Sequence, residues 1–189
     1  MQALPTRLDT RSEEYQANRA AMLDKLAEFE KLQSQARQGG GEKYIERHRE
    51  RGKLLARERI ELLVDQDSPF LELSTLAAWG SEKPLGGNVV TGIGMVNGVE
   101  CAILANDPTS QAGVFNRYTL AKSLRIMDIA MENRLPLINL VESGGADLPD
   151  QAEVFLVGGK WFRNLTRLSK QGIPTISLVF GSSTAGGAY

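Results

Sequence analysis

The chain contains 189 residues, of which 42% are hydrophobic and 24% are charged, and its formal net charge is −1. This composition is ordinary for a globular domain, and the near-zero charge argues against a surface for nucleic acids or anionic membranes. The single cysteine excludes an internal disulfide, and no apolar run approaches the roughly 20 residues that a membrane-spanning helix needs. Because no signal-peptide pattern is present either, we predict a cytoplasmic protein without nucleic-acid or membrane partners.

The first third of the chain is rich in charged residues and predicts two helices. Apolar side chains recur at helical spacing along the first predicted helix, Thr10–Gln38. The stripe comprises Tyr15, Met22, Leu26 and Phe29. The run Gly39-Gly40-Gly41 ends this helix and predicts a flexible joint, after which a second charged helix is expected over Glu42–Leu63. We assign residues 1–66 to an N-terminal helical extension and residues 67–189 to the main domain.

The rest of the chain alternates short apolar runs with helical patterns. Asn97-Gly98 lies between two such runs and is a strong signal for a β-hairpin. The predicted strands are Asn88–Val96, Val99–Ala105, Leu137–Val141 and Ile173–Phe180, and the predicted helices are Phe115–Asn133 and Gln151–Gln171. From Val99 onward the order is β-α-β-α-β. Crossovers of this length place strands parallel, and ligands in such sheets bind beyond the carboxyl ends of the strands.

Paired glycines follow two of these predicted strands. Leu137–Val141 leads into Glu142-Ser143-Gly144-Gly145-Ala146, and the last strand leads into a second small-residue run that ends Ala185-Gly186-Gly187-Ala188. Small residues leave backbone N–H groups unshielded, and preorganised N–H groups bind anions and developing oxyanions. We expect the two glycine-rich ends to lie side by side in one parallel sheet and to form a single pocket of amide donors.

Two other glycine patterns give weaker signals. Gly92–Gly98 fails the G-x-G-x-x-G spacing of a dinucleotide loop and lies across the predicted hairpin. Gly181-Ser182-Ser183 fails the spacing of a nucleophile elbow, because Ala185 stands where the second glycine is needed. The hydrolase interpretation therefore depends on a histidine from outside these residues.

Titratable residues near the glycines have structural as well as chemical interpretations. Glu142 and Asp147 flank the first glycine pair and could act as general acid or base. The favoured interpretation is that they cap the following helix or orient the loop. Cys101 is expected in the core and His48 at a surface or interface, so we predict no metal site.

Six segments carry a resemblance to a known family. They are Gly39-Gly40-Gly41-Glu42-Lys43, Arg51-Gly52-Lys53-Leu54-Leu55-Ala56-Arg57-Glu58-Arg59-Ile60, Ala105-Asn106-Asp107, Asn133-Arg134-Leu135-Pro136, Glu142-Ser143-Gly144-Gly145-Ala146-Asp147-Leu148-Pro149 and Ala185-Gly186-Gly187-Ala188-Tyr189. In this order they resemble the carboxyltransferase (β) subunits of biotin-dependent acyl-CoA carboxylases. Leu148-Pro149, and the Ser-Ser-Thr before the second glycine pair, are most similar to the methylcrotonyl-CoA and geranyl-CoA branch.

The chain also departs from this family in places. Glu142 stands where members commonly carry Asp, Ala112-Gly113-Val114 where they tend to have Gly-Gly-Ser/Thr, and Ala121-Lys122 where they have a Lys pair. These departures fall around the expected CoA-facing helix and acyl pocket, so the resemblance leaves the acyl substrate open.

The resemblance implies an α/β, crotonase-like fold, a ββα spiral, with an N-terminal helical extension. It implies that the amides of Gly186 and Gly187 form an oxyanion hole for an enolate of the acyl-CoA thioester. The residues implied in binding the substrate are Gly144, Gly145, Ala146, Ala185, Arg51, Lys53 and Lys122, the last three as candidates for the CoA phosphates. Because family members are much longer, the resemblance implies an N-terminal fragment that is inactive alone.

The resemblance also implies partners. Biotin would be carried on a biotin carboxylase or biotin carrier subunit, and a second, C-terminal carboxyltransferase domain from another subunit of a homo-oligomer would complete the site. The biotin ureido group can itself act as the base. Two alternatives stay open at this point, a biotin-dependent decarboxylase subunit that runs the transfer backwards and a noncatalytic CoA-binding module.

Overall fold

The computed structural model describes Thr6 and residues 8–188. Tyr189, the last residue of the family motif quoted above, lies outside the described residues. The helices are α1 (Glu13–Arg37), α2 (Glu42–Glu50), α3 (Ala56–Leu63), α4 (Arg117–Asn133) and α5 (Gln151–Lys170). The strands are β1 (Leu71–Leu73), β2 (Val89–Val96), β3 (Val99–Asn106), β4 (Leu137–Ser143) and β5 (Thr175–Ser183). Among residues 8–188, no helix is both long enough and apolar enough to cross a membrane.

The five strands form one mixed sheet in the order β1-β2-β3-β4-β5. β2 and β3 pair antiparallel across Asn97-Gly98, which confirms the predicted hairpin. β3, β4 and β5 then pair parallel through the crossover helices α4 and α5, which confirms the predicted β-α-β-α-β order. The carboxyl ends of β4 and β5 therefore lie at the same edge of the sheet.

Apolar clusters cover both faces of the sheet at β2, β3 and β4. On one face α4 and α5 bury Ile126, Met127 and Leu168 against the strands. On the other face Ile60 of α3 packs with residues of β2, β3 and β4. The helix α3 is thus part of the core, although it falls within the predicted N-terminal extension.

Local signals explain where α4 begins and ends. The side chain of Asn116 accepts hydrogen bonds from the amides of Tyr118 and Thr119, which satisfies two of the unpaired N–H groups of the first turn. At the other end Arg134 adopts a left-handed conformation with φ 55°, and Pro136 cannot continue a helix.

The predicted second helix, Glu42–Leu63, is wrong as a single element, because the chain breaks it into α2 and α3. Gly52 adopts a left-handed conformation with φ +70°, and its amide donates to Arg49 O at 2.8 Å while the amide of Lys53 donates to His48 O at 3.4 Å. This pair of bonds is a Schellman motif, which ends a helix at a glycine.

The predicted flexible joint at Gly39-Gly40-Gly41 is also corrected. The amide of Gly40 donates to Thr109 Oγ1 at 3.1 Å, and a Cβ at Gly40 would lie 1.8 Å from Thr109 O. Gly39 and Gly40 therefore form a close contact between the end of α1 and the loop after β3, where no side chain fits, whereas a Cβ at Gly41 would meet no atom within 4 Å.

β5 and α5 expose much apolar surface. Within the described residues β5 pairs only with β4, and several large apolar side chains of the two elements are exposed to solvent. They are Ile176, Leu178, Val179 and Phe180 on β5, and Phe155, Leu156 and Phe162 on α5. Exposed large apolar side chains in such number are typical of an interaction site.

The contact at Gly40 predicts a stability effect. We expect Gly40→Ala to lower the free energy of unfolding by about 1–3 kcal/mol, because the new methyl group would overlap a backbone carbonyl that cannot rotate away. Urea unfolding followed by tryptophan fluorescence measures this change.

A matched control is Gly159→Ala in α5, where a Cβ would meet no atom within 4 Å. That variant should instead be more stable by about 0.5–1 kcal/mol, since alanine favours a helix over glycine. A Gly40→Ala protein as stable as the wild type would show that the loop accommodates a side chain.

Candidate functional site

The two glycine-rich ends meet, as the sequence predicted. The amide of Thr184 donates to Ser143 O at 3.2 Å, and a Cβ at Gly145 would lie 3.1 Å from the side chain of Thr184. Gly145, Ala146, Ala185, Gly186 and Gly187 border one cavity. The parallel pairing of β4 and β5 is what brings them together.

The available amide donors differ from those expected. The amides of Gly144 and Gly187 donate to Ala112 O at 2.9 Å and to Thr184 O at 3.3 Å, and that of Gly145 donates to Ser143 Oγ at 3.1 Å. Within residues 8–188, the amides of Ala146, Ala185 and Gly186 have no hydrogen-bond partner. Of the predicted pair, the Gly186 amide is free, whereas the Gly187 amide makes a long bond that closes its own turn.

The cavity beside these amides is apolar and has a volume of about 130 Å³. Residues of α4, α5 and the loop before α4 form its walls. They include Phe115, Leu120, Val154, Trp161 and Phe162. The rings of Phe115 and Trp161 meet edge to face, with centroids 5.8 Å apart, an arrangement that holds aromatic walls in place.

Glu142 lies at the base of the first glycine pair and is buried. Its two carboxylate oxygens accept hydrogen bonds from Lys53 and Arg59. Burial by itself would raise the pKa of Glu142, but the hydrogen bonds from Lys53 and Arg59 outweigh it and the pKa lies below its ordinary value. A carboxylate that two cations hold ionised orients the loop of the first glycine pair. This agrees with the interpretation favoured from the sequence, in which Glu142 has a structural role.

The prediction that His48 lies at a surface or interface is wrong, because the side chain is buried between α2 and α3. His48 is 7% exposed, and its Nε2 lies 3.2 Å from Leu54 O and 3.3 Å from Arg59 Nη2. The histidine thus supports the same Arg59 that binds Glu142. Cys101, by contrast, is buried in the core as predicted.

Asp147, on the far side of the glycine pair, also makes structural contacts. Its Oδ2 lies 2.9 Å from Lys83 Nζ, and the same ammonium lies 2.9 Å from Asp150 Oδ2. The two hydrogen bonds raise the pKa of Lys83. This bridge fixes the segment after Gly144-Gly145 to the loop that precedes β2.

The three cations predicted to contact CoA lie in different environments. Lys122 is buried, and its Nζ donates to Gly86 O at 3.1 Å and to Val89 O at 2.7 Å. Burial lowers the pKa of Lys122 to about 8. Lys122 therefore borders neither the apolar cavity nor the basic cavity described next, because backbone carbonyls already bind its ammonium. Lys53 pairs with Glu142, and Arg51 is exposed.

Arg51 borders a second, basic cavity of about 520 Å³. Arg47 and Arg51, one turn apart on α2 and its end, face this space together with Tyr44 and the loop Thr109–Ala112. The sequence analysis missed Arg47, although its spacing of four from Arg51 places both on one helical face. The loop is joined to the first glycine pair, because Ala112 O accepts a hydrogen bond from the Gly144 amide.

The parallel strands β4 and β5 end beside an apolar cavity, and a basic cavity lies beside the end of α2. This is an α/β protein with a candidate binding site at the carboxyl ends of its parallel strands. Comparisons with known proteins agree. Residues 47–189 match the Carboxyl transferase domain family. This chain therefore belongs to the carboxyl transferase domain family, as the sequence motifs indicated.

Three relatives illustrate the match. The chain is 60% identical to the probable biotin-dependent acyl-coenzyme A carboxylase beta2 subunit of Mycobacterium tuberculosis, over 98% of this chain and 35% of that protein. It is 51% identical to the probable mitochondrial methylcrotonoyl-CoA carboxylase beta chain of Drosophila melanogaster, over 98% of this chain and 33% of that protein.

The third relative is a solved structure, the beta subunit of geranyl-CoA carboxylase from P. aeruginosa. It superimposes with a TM-score of 0.89 at 41% identity, over 98% of this chain and 36% of that chain. The predicted α/β, crotonase-like fold is thus confirmed. The chain spans about a third of the length of the relatives it matches.

The buried Glu142 predicts a pH-dependent stability. Because its pKa is lower in the folded state, its contribution is fully present above the unfolded carboxyl pKa of about 4.3 and is lost as the pH falls through that value towards the folded pKa. We expect Glu142→Gln to lower the free energy of unfolding at pH 7 by about 3–5 kcal/mol, since Arg59 stays buried without its partner, and to flatten the loss of stability between about pH 5 and 3.

Urea unfolding between pH 3 and pH 7 measures both effects. Glu61→Gln, at an exposed position of α3, serves as the control and should keep the wild-type stability at pH 7. Equal acid sensitivity of Glu142→Gln and the wild type would contradict the role assigned to the buried carboxylate.

Proposed function

We propose that this chain forms the acyl-CoA-binding half of a biotin-dependent carboxyltransferase, which transfers a carboxyl group to a carbon made acidic by a thioester. The single observation that carries this proposal is the convergence of the two glycine-rich ends on one apolar cavity in a member of the carboxyl transferase domain family. The names of the relatives, which are acyl-CoA carboxylase β subunits, support an acyl-CoA substrate.

The free amides would stabilise the enolate that forms when the acidic carbon loses its proton. Negative charge then develops on the thioester oxygen, and Gly186 and Ala146, whose amides have no hydrogen-bond partner within the described residues, border the cavity where this oxygen would lie. Removal of one preorganised donor from such a site typically costs about 3 kcal/mol of transition-state stabilisation. The Gly187 amide can contribute once its 3.3 Å bond to Thr184 O opens.

The basic cavity would hold the CoA end of the substrate. CoA is a polyanion, and guanidinium groups bind phosphates through paired, charge-assisted hydrogen bonds. Arg47 and Arg51 face the same space and have no ion-pair partner within the described residues. The loop Thr109–Ala112 borders this cavity and accepts the Gly144 amide through Ala112 O, so it would connect the phosphate site to the first glycine pair.

Biotin would supply the carboxyl group from a partner subunit. We assign none of the described residues to biotin, because the apolar cavity is assigned to the acyl group. A biotin carboxylase or biotin carrier partner and a homo-oligomer, in which a C-terminal carboxyltransferase domain completes the site, are part of this proposal. The exposed apolar side chains of β5 and α5 are suited to such a contact.

The substrate we propose is a branched, unsaturated acyl-CoA of the methylcrotonyl type. The aromatic and aliphatic walls of the cavity favour an apolar acyl group over a charged one. The identity of 51% with a methylcrotonoyl-CoA carboxylase β chain supports the same choice. Carboxylation of 3-methylcrotonyl-CoA by the complete protein with its biotin-bearing partner is the direct test.

The amide-lined end of the cavity predicts a catalytic effect. Gly187 is buried, and a Cβ there would lie 3.3 Å from Ser183 Oγ and 3.4 Å from Thr184 O. We expect Gly187→Val to lower kcat at least about a hundredfold, because the side chain obstructs the position of the thioester oxygen.

Steady-state carboxylation measures this loss, and circular dichroism checks the fold. Ser182→Val, at an exposed position of β5, is the control and should keep the wild-type kcat. A wild-type kcat in Gly187→Val would contradict the proposal that this turn forms an oxyanion hole.

The basic cavity predicts a binding effect. We expect Arg51→Gln to raise the KM for acyl-CoA about five- to thirtyfold with kcat nearly unchanged, since loss of a charge-assisted hydrogen bond to phosphate costs about 1–2 kcal/mol. The wild-type KM should also rise with salt more steeply than that of the variant.

Arg49→Gln provides the comparison. Arg49 lies on the same helix but pairs with Glu58 at 2.7 Å, away from the cavity. If Arg49→Gln and Arg51→Gln change the KM equally, the effect is one of overall charge and not of a phosphate site.

A further inference from the structure

His48, the only histidine of the chain, lies between the basic cavity and Arg59. The residue borders that cavity together with Arg47 and Arg51, although it is almost fully buried. Its Nε2 lies 3.3 Å from Nη2 of Arg59. A histidine beside a phosphate site would ordinarily be assigned to phosphate binding, so its contacts have to decide its role.

Arg59 is held through only one of its three guanidinium nitrogens. Nη2 donates to the carboxylate of Glu142 and faces His48 Nε2. Nε and Nη1 are buried and have no hydrogen-bond partner among residues 8–188. A guanidinium that binds a carboxylate through two nitrogens is fixed in its plane by that pair, whereas one that binds through a single nitrogen can rotate about the bond. The ring of Phe180, 4.6 Å from Arg59 Cζ, limits only the tilt, so His48 supplies the second polar contact.

The surroundings of His48 Nε2 show what this contact requires. Nε2 lies 3.2 Å from Leu54 O, which can only accept a hydrogen bond, and 3.3 Å from Arg59 Nη2, which can only donate one. One ring nitrogen serves only one of these neighbours at a time. We assign Nε2 as the acceptor for Arg59, because a buried guanidinium with two unpartnered nitrogens has the greater need. With Nε2 used in this way, that nitrogen does not bind a phosphate.

We propose that His48 is a positioning residue for the amide site, because it orients Arg59 and Arg59 in turn holds Glu142. The inference rests on the acyl-CoA function proposed above. Glu142 directly precedes Ser143-Gly144-Gly145, and a Cβ at Gly181 of β5 would lie 2.6 Å from Glu142 Oε1. A shift of this carboxylate therefore displaces both glycine-rich ends. Loss of His48 should slow carboxyl transfer without weakening the binding of CoA.

Steady-state carboxylation of 3-methylcrotonyl-CoA by the complete protein, assembled with its biotin-bearing partner, tests this inference. His48→Leu removes the ring nitrogens and keeps an apolar side chain in their place. His48→Gln can accept from Arg59 through its amide oxygen while its amide nitrogen donates to Leu54 O. Ile126→Val, in the core between α4, α5 and the sheet, is the control for a loss of stability that leaves the His48–Arg59 contact intact.

We expect His48→Leu to lower kcat at least about tenfold, with the KM for acyl-CoA changed less than about twofold. His48→Gln should keep at least about half of the wild-type kcat, because the amide replaces both contacts. Ile126→Val should melt at a lower temperature than the wild type but keep its kcat. A second variant, Arg59→Lys, retains the charge but lacks the planar fork, so it should reproduce the kcat loss even where His48→Leu folds poorly.

A double-mutant cycle measures the contact without the reaction. Thermal unfolding of the complete protein would compare the wild type, His48→Leu, Glu142→Gln and the double variant. We expect the two substitutions to be non-additive, because both remove a partner of the same Arg59 nitrogen. His48→Leu combined with Ile126→Val should be additive, since these residues share no partner.

Three results overturn the inference while leaving the proposed function intact. The first is a raised KM with an unchanged kcat in His48→Leu, which is the pattern of a phosphate ligand. The second is an equal loss of kcat in His48→Gln and His48→Leu, and the third is an additive cycle between His48 and Glu142. A wild type that carboxylates no acyl-CoA would instead overturn the proposed function, and the inferred effect on kcat with it, even where the cycle is non-additive.

Discussion

The parallel pairing of β4 with β5 is the constraint on which the site depends. Leu137 to Val141 pair residue by residue with Thr175 to Val179, but Ser143 then pairs with Ser183, so β5 carries extra residues opposite Glu142. A bulge of this kind bends a strand and re-aims the residues that follow it. Here it turns the end of β5 across the end of β4, and Thr184 becomes a neighbour of Ser143 and Gly145. Without this irregularity two straight strands would carry their glycines onward as parallel, separate turns.

The buried ionic cluster holds the bulge in place. A Cβ at Gly181 would lie 2.6 Å from both Glu142 Oε1 and Lys53 Nζ, so the bulge passes directly over the ion pair. Arg59 binds the other carboxylate oxygen and lies 4.6 Å from the ring centroid of Phe180. Buried ion pairs contribute little net stability, because desolvation of the charges offsets their attraction. The cluster instead fixes geometry, because it connects α2, α3 and the two strands that end in glycines and so holds these elements in fixed relative positions.

The parts of this architecture that local sequence determines were predictable, and the parts that distant contacts determine were not. Asn97-Gly98 selects a tight turn by its own backbone preference, and the crossovers from β3 to β5 follow from chain length and handedness. The break at Gly52 was within reach of the sequence, because glycine commonly ends a helix, but the charged pattern on both sides concealed it. The environments of His48 and Lys122 were out of reach, because their partners, Arg59 and the carbonyls of Gly86 and Val89, become neighbours only after folding. The choice of free amides likewise depends on turn geometry, which paired glycines leave open.

The loop Thr109–Ala112, which borders the basic cavity, contains backbone strain next to the first glycine pair. Gln111 and Ala112 both adopt left-handed conformations, with φ 45° and 54°, and each such residue other than glycine costs about 1–2 kcal/mol. The conformation persists because Gly113 packs under Glu142, where a Cβ would lie 2.6 Å from its carbonyl oxygen, and because Ala112 O accepts the Gly144 amide. The same contacts that strain the loop thus set the distance between the basic cavity and the amides. A looser loop would relieve the strain but would let the basic cavity and the glycine-rich ends move independently of each other.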